Sequence, residues 1–104
     1  METPKQIYTK LVRDKIPEIM DKAGAPYDKR IASPEEREAF LIEKLIEEFR
    51  EFKEAQSPEE LADILEAVIE LRKLPKFADV EAVRQKKFDE RGGFEQGIIL
   101  TGEK

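Results

Sequence analysis

Residues 33–73 read SPEEREAFLIEKLIEEFREFKEAQSPEELADILEAVIELRK. The letters SPEE occur twice in this stretch, at Ser33–Glu36 and at Ser57–Glu60. Each is a helix-start pattern. A Ser followed three residues later by Glu forms a capping box, and Pro at the first helical position loses nothing, because the N–H it lacks has no intrahelical partner there. A long helix is therefore expected from Pro34 to about Ala55, and a second from Pro58 to about Lys73. Only Gln56 and Ser57 separate them, so the two should fold back as an antiparallel hairpin.

The carboxylates of the hairpin fall in a pattern. On a helical projection with Leu41 at zero, Phe52, Leu45, Phe49, Ile42 and Ile46 lie at roughly 20, 40, 80, 100 and 140°, a wide apolar face. Glu48 lies at about −20°, beside Leu41 and Phe52. A carboxylate buried unpaired at that margin would cost several kcal/mol. Glu51 lies about 60° further round with Lys44 between them, so Lys44, Glu48 and Glu51 form a polar strip along the edge of the core. On the second helix Leu61, Ile64, Leu65, Val68 and Leu71 mark the apolar face. Glu60 flanks it beside Ile64, and Asp63 lies about 60° beyond, towards the polar side. An antiparallel hairpin can bring Glu48 and Glu51 to Glu60 and Asp63. Four close carboxylates repel one another unless a cation sits among them. Taken singly, each has a plain structural explanation: Glu60 as the return arm of its capping box, Glu51 and Asp63 as solvent-facing groups. Taken together, they point to a metal site.

Composition narrows which metal. The chain has 104 residues, no Cys and no His. Without thiolate or imidazole, a metal must be held by oxygen, which points to Mg²⁺ or Mn²⁺. Acid–base chemistry falls to carboxylates, Lys, Tyr or a metal-bound water. Charge is uneven. Residues 1–30 carry seven Lys/Arg and five Asp/Glu, residues 31–70 four and thirteen, residues 71–104 eight and six. The acidic middle between mildly basic ends suits a cation site whose ligand is a polyphosphate, although solvated helix faces also produce charge runs. The basic stripe expected of a duplex-binding protein is not evident, so no nucleic acid polymer is expected as a partner. No apolar run approaches the roughly 20 residues needed to span a bilayer. The start, METPKQIYTK, lacks the apolar core of a signal peptide. A cytoplasmic protein without membrane contact is the expectation.

Outside the hairpin, residues 1–12 are expected to be irregular, with a short extended piece at Ile7-Tyr8. A short helix is expected from Arg13 to about Ala23, with Asp14 as its cap, Pro17 near its start and Gly24 at its end. Residues 24–33 read as a loop. Pro75 is expected to open a last helix reaching about Glu90. Arg91-Gly92-Gly93-Phe94 breaks it, and Ile98-Ile99-Leu100 suggests a short extended tail. Strand signals are too few for a sheet. The expected architecture is one all-α domain over residues 1–104, four helices in a bundle-like arrangement with irregular N- and C-terminal segments. The apolar face of the long helix is wider than a small bundle can bury, so a homo-oligomer is expected.

Glu48-x-x-Glu51 followed by Glu60-x-x-Asp63 resembles the ExxE…ExxD signature of the MazG-like all-α nucleotide pyrophosphohydrolases, a superfamily that includes phosphoribosyl-ATP pyrophosphohydrolase and the all-α dUTPases. The similarity is closer to a small branch known as phosphoribosyl-ATP pyrophosphohydrolase-like. That branch is typified by KLVRDKIPEI, here Lys10 to Ile19, by EELADILE, here Glu59 to Glu66, and by RGGFEKGIIL. The last stands here as Arg91 to Leu100 with Gln96 in place of the lysine. Eight residues separate Glu51 from Glu60, a shorter link than in better-known members, as a tight hairpin requires.

The resemblance implies a MazG-type helical fold and Mg²⁺-dependent hydrolysis of a nucleoside triphosphate between its α and β phosphates, giving the monophosphate and pyrophosphate. It implies Glu48, Glu51, Glu60 and Asp63 as Mg²⁺ ligands, with Mn²⁺ as a substitute, and Glu47 or a ligand such as Glu48 as the proton acceptor. Lys10, Arg13, Lys15, Lys44 and Arg91 then become the grips for the triphosphate. Each has a structural alternative: Lys44 in an i,i+4 pair with Glu48, and Arg13-Asp14-Lys15 in an ion-pair cluster tying the N-terminus to the bundle. Gly92 and Gly93 either admit a ligand or turn the chain, and Phe94 either stacks on a base or plugs the core. On this reading Glu60 has two roles, cap and ligand, because a helix N-terminus favours an ionised carboxylate. The expected reaction is clearance of unwanted nucleotides. The rival readings are a phosphoribosyl-ATP pyrophosphohydrolase of histidine synthesis, and a helical interaction protein without catalysis.

Overall fold

The computed structural model describes residues 8–103. Among them are four α-helices and no strand: α1 (Ile16–Ala23), α2 (Pro34–Ala55), α3 (Pro58–Arg72) and α4 (Val80–Arg91), with a 3-10 turn at Pro75–Phe77. The all-α expectation holds. The expected extended piece at Ile7-Tyr8 lies partly outside the described residues, and Tyr8 is in coil. The chain forms two compact units, Met1–Leu71 and Arg72–Lys104.

In the first unit α2 begins on a complete capping box. The Ser33 hydroxyl accepts from the Glu36 N–H at 3.2 Å, and the Glu36 carboxylate accepts from the Ser33 N–H at 3.1 Å. Arg30 then forks onto the same carboxylate, at 2.9 and 2.7 Å. The helix ends at Gln56, which takes a left-handed conformation (φ 49°) and donates its N–H to Phe52 O at 2.7 Å. One left-handed residue costs about 1 kcal/mol for a side chain other than Gly, and here it lets the chain reverse within two residues into α3. At the far end of the hairpin Arg37 pairs with Glu70 at 3.0 Å.

α1 starts later than the sequence suggests. Its N-cap is Lys15, without a side-chain bond, and Arg13 and Asp14 lie before it. A helix begun at Arg13 would place Pro17 beyond the first turn, where its missing N–H breaks the ladder. Starting at Ile16 keeps Pro17 within the tolerated positions. Arg13 O instead closes a turn by accepting from the Ile16 N–H at 3.0 Å. Gly24, at φ 71°, ends the helix as expected.

The packing of the hairpin departs from the sequence reading. Among the described residues only Leu41, Ala67 and Glu48 are buried. Ile42, Ile46 and Phe49 of α2 stay exposed, as do Leu61, Leu65, Val68 and Ile69 of α3. The residues of α3 with reduced exposure are Glu60, Asp63, Ile64, Ala67, Glu70 and Leu71, at helical spacing, with Glu66 beside them. With Ala67 the buried residue of α3 and Glu48 a buried charge of α2, the interior of the hairpin is partly polar and its broad apolar faces are turned outwards.

The second unit holds the 3-10 turn and α4. Pro75 opens the 3-10 turn rather than the α-helix, which begins only at Val80 after Asp79. A Glu81–Arg84 ion pair at 2.6 Å supports its first turns. α4 ends at Gly92 (φ 77°), and Gly93 follows so close to Phe88 that an added Cβ would meet the ring at 3.3 Å. The glycine pair thus turns the chain over Phe88. Phe94 is 99% exposed and does not plug a core. Residues 98–100 are coil and form no strand.

The Ser33–Glu36–Arg30 clamp carries a pH signature. The Arg30 guanidinium, with the Ser33 N–H, holds the Glu36 carboxyl well below its ordinary 4.5, at about 2. A depressed carboxyl stabilises the fold above its unfolded value and loses that contribution as pH falls through the folded one. Glu36→Gln is expected to lower the thermal midpoint at pH 7. The gap to wild type should close as pH drops from about 4.5 towards 2, which thermal unfolding followed by circular dichroism at stepped pH will measure.

Candidate metal centre

The carboxylate site is built where α2 and α3 lie closest to their connecting turn. Glu48 comes from the face of α2 that carries Leu41, and is 95% buried, its exposure being 5%. Glu60 and Asp63 come from the first two turns of α3 and are half-buried. One oxygen from each lies within 4.8 Å of the others. Two unit charges at that separation repel by roughly 3 kcal/mol at an effective dielectric of 20. Such a group persists only with cations around it.

Some of those cations are protein side chains. Lys44 Nζ reaches Glu48 Oε1 at 2.9 Å, the i,i+4 pair that the sequence suggested, and stands 3.4 Å from Glu47 Oε2. Lys10 Nζ reaches Glu47 Oε1 at 3.0 Å. Arg13 Nη2 reaches Asp63 Oδ1 at 2.6 Å. The coil before α1 is thus tied to both hairpin helices, through Lys10 to α2 and through Arg13 to α3. Two oxygens are left over: Glu48 Oε2 and Glu60 Oε2 are buried and accept no hydrogen bond. An unanswered buried carboxylate oxygen is costly. Two of them in one group of hard oxygen donors, in a chain without His or Cys, could hold a hard metal cation.

Glu60 shows why its two expected roles separate. The Ser57 hydroxyl accepts from the Glu60 N–H at 3.3 Å, so the helix is capped. The Glu60 carboxylate does not complete the box as Glu36 does at Ser33. It stands with Glu48 and Asp63 instead. The two SPEE segments therefore make the same backbone cap and use their second glutamate differently.

Glu51, the fourth expected ligand, is exposed and lies outside the tight group of three. It remains within its field. Desolvation, followed by the negative charge of Glu48, pushes the Glu51 carboxyl up, with the charges of Glu60 and Glu47 adding to the effect. Glu47 is displaced the other way: its hydrogen bond to Lys10 and the charges of Lys44 and Lys10 hold its carboxyl down against desolvation.

Of the expected phosphate grips, Lys10, Arg13 and Lys44 are at the carboxylates. Lys15 is exposed at the start of α1, away from any ion pair found here, and Arg91 closes α4 in the second unit. The structural alternative for Arg13-Asp14-Lys15 holds for Arg13, which ties the N-terminal segment to α3 through Asp63, fifty residues on; no ion pair is seen for Asp14 or Lys15 among the described residues. A cavity of about 210 Å³ adjoins the site, lined by Lys10, Phe40, Glu43, Lys44, Glu47 and Arg50 together with Thr9 and Leu11. Lys44 and Glu47 belong to both the cavity and the carboxylate network. Sequence reasoning missed Phe40, Glu43 and Arg50. Their spacing places them with Glu47 on one side of α2, but that side becomes a cavity only because Thr9–Leu11 crosses it.

No helix among the described residues is long and apolar enough to cross a membrane. Comparison with protein-family models, with curated proteins and with solved structures yields no match.

The separated roles at α3 have a direct test. Ser57→Ala is expected to cost about 1 kcal/mol of stability, as loss of an N-cap does. Glu60→Gln should leave that cap in place and cost less. Only Glu60→Gln should abolish a stabilisation by added divalent cation. Denaturant unfolding of wild type and both variants with and without Mg²⁺ measures each effect.

Proposed function

We propose that this protein is a cytoplasmic, Mg²⁺-dependent nucleoside triphosphate pyrophosphohydrolase of the MazG-like all-α type, with a four-helix-bundle-like fold, which clears unwanted nucleotides. The observation that carries this reading is Glu48. A nearly buried carboxylate with one oxygen unanswered, grouped with Glu60 and Asp63, has the form of a cation site rather than of a solvated helix face. The motif resemblance supplies the substrate class.

Glu48, Glu60 and Asp63 hold the cation, with Glu51 beside them. When bound, it neutralises polyphosphate charge and raises the acidity of water. The protein's own residues do the rest. Lys10, Lys44 and Arg13 offer donors to phosphate oxygens. The water oxygen bonds to phosphorus, the α–β bridge breaks, and the proton passes to a carboxylate, leaving nucleoside monophosphate and pyrophosphate. Glu47, held between Lys10 and Lys44 beside the cavity, and the carboxylates of the group itself are the candidate proton acceptors.

The assay is pyrophosphate release with Mg²⁺ across common, deoxy and modified nucleoside triphosphates and phosphoribosyl-ATP. Release is expected to require the metal and to fall by at least 100-fold in Glu48→Gln. A folded protein that neither binds Mg²⁺ nor hydrolyses any member of the panel would instead be a helical interaction protein.

The active form on this proposal is a homo-oligomer. Ile42, Ile46 and Phe49 with Leu61, Leu65 and Ile69 leave apolar surface on both helices of the hairpin, and a second copy would cover it. Light scattering is expected to give a multiple of 12.1 kDa for wild type and a smaller species for Leu65→Glu.

A further inference from the structure

Asp63 is the one member of the carboxylate group whose cation comes from outside the hairpin. Arg13 Nη2 reaches its Oδ1 at 2.6 Å, from a turn that precedes α1 and belongs to no helix. The contact is made by one nitrogen to one oxygen, unlike the fork of Arg30 on Glu36. The Arg13 side chain is 53% exposed, so it can leave Asp63 without breaking packing or a helix. On α2 the arrangement differs: Lys44 is mostly covered and tied to both Glu47 and Glu48.

We infer that Arg13 is a built-in counter-cation of the unloaded site. It holds Asp63 while Glu48 Oε2 and Glu60 Oε2 stand unanswered, yields to a divalent cation, and passes its guanidinium to the anionic ligand of that cation. The inference rests on the divalent-cation reading above. Its physical basis is charge. Lys44 and Arg13 offset two of the three carboxylates, so a doubly charged ion entering the group makes the guanidinium a like-charged neighbour. Arg13 and the ion therefore oppose each other at Asp63. A phosphate anion is attracted to both, so it reverses the sign of their coupling.

The test uses the full chain and two probes, Mg²⁺ alone and then inorganic pyrophosphate with Mg²⁺ saturating. Calorimetry should show Arg13→Gln binding Mg²⁺ about two- to fivefold more tightly than wild type, the worth of a half-exposed ion pair. The same variant should bind pyrophosphate more weakly. Arg13→Lys, which keeps the charge, should lie near wild type in both. Thermal unfolding gives the readout that a plain structural tie would not move: the loss of midpoint in Arg13→Gln should be larger without Mg²⁺ than with it. Unchanged or weaker Mg²⁺ binding in Arg13→Gln, with equal midpoint losses in both conditions, would overturn the inference while leaving the cation site standing. Pyrophosphate binding unaffected by Arg13→Gln would overturn the hand-over. Absence of Mg²⁺ binding in wild type would remove the cation site itself, and this inference with it.

Discussion

Glu48 is held almost wholly out of water between two helices, and an ionised carboxylate in that position must be answered at both oxygens. Lys44 answers one of them, from the preceding turn of the same helix. The other is left facing a group to which α3 contributes two more carboxylates. Much of the first unit follows from that arrangement. The hairpin turns tightly because Gln56 accepts a left-handed conformation, and this brings the first turns of α3 against Glu48. Ala67 is buried further along α3, and Arg37–Glu70 pins the far end. The coil before α1 is drawn onto the hairpin because charge remains there for Lys10 and Arg13 to offset.

A hairpin that turns carboxylates inwards must turn something else outwards. On α2 that is Ile42, Ile46 and Phe49; on α3 it is Leu61, Leu65, Val68 and Ile69. In a lone hairpin the opposite rotation would bury more apolar area and leave the acids in water, each of which is favourable by itself. The observed rotation leaves these apolar side chains exposed and turns three acids towards one another between the helices.

How much of this was legible in the sequence differs from residue to residue. Helix starts were, because Pro and Ser act locally: Ser33-Pro34 and Ser57-Pro58 begin α2 and α3 where expected. Local rules also failed where a second constraint entered. Pro17 moved the start of α1 to Ile16, and Pro75 opened a 3-10 turn in place of α4. The grouping of Glu48, Glu60 and Asp63 was readable from helical spacing plus the short link. The rotation of each helix was not, since an apolar stripe says which side avoids water but not which neighbour covers it. Nor was the fate of Glu60, because identical SPEE segments permit the carboxylate to return to the cap or to leave it. Glu36 returns, with Arg30 to hold it; Glu60 leaves, towards Glu48. Periodicity within one helix cannot report a partner that lies on another.

The N-terminal segment is the part of the site that periodicity could least have located, and it controls the local charge. Lys10 and Arg13 reach carboxylates 37 and 50 residues away in the chain, from coil that has no repeat to read. Their contacts are unequal in consequence. Lys10 joins Lys44 in holding Glu47 down, which keeps a negative charge beside the cavity. Arg13 touches a member of the centre itself, so its charge counts for or against every other ion that approaches Asp63. A lysine fastened to a bystander carboxylate acts as an anchor for the segment. An arginine fastened to one of three grouped carboxylates is coupled by charge to the other two as well, so its ion pair depends on the net charge of the whole group.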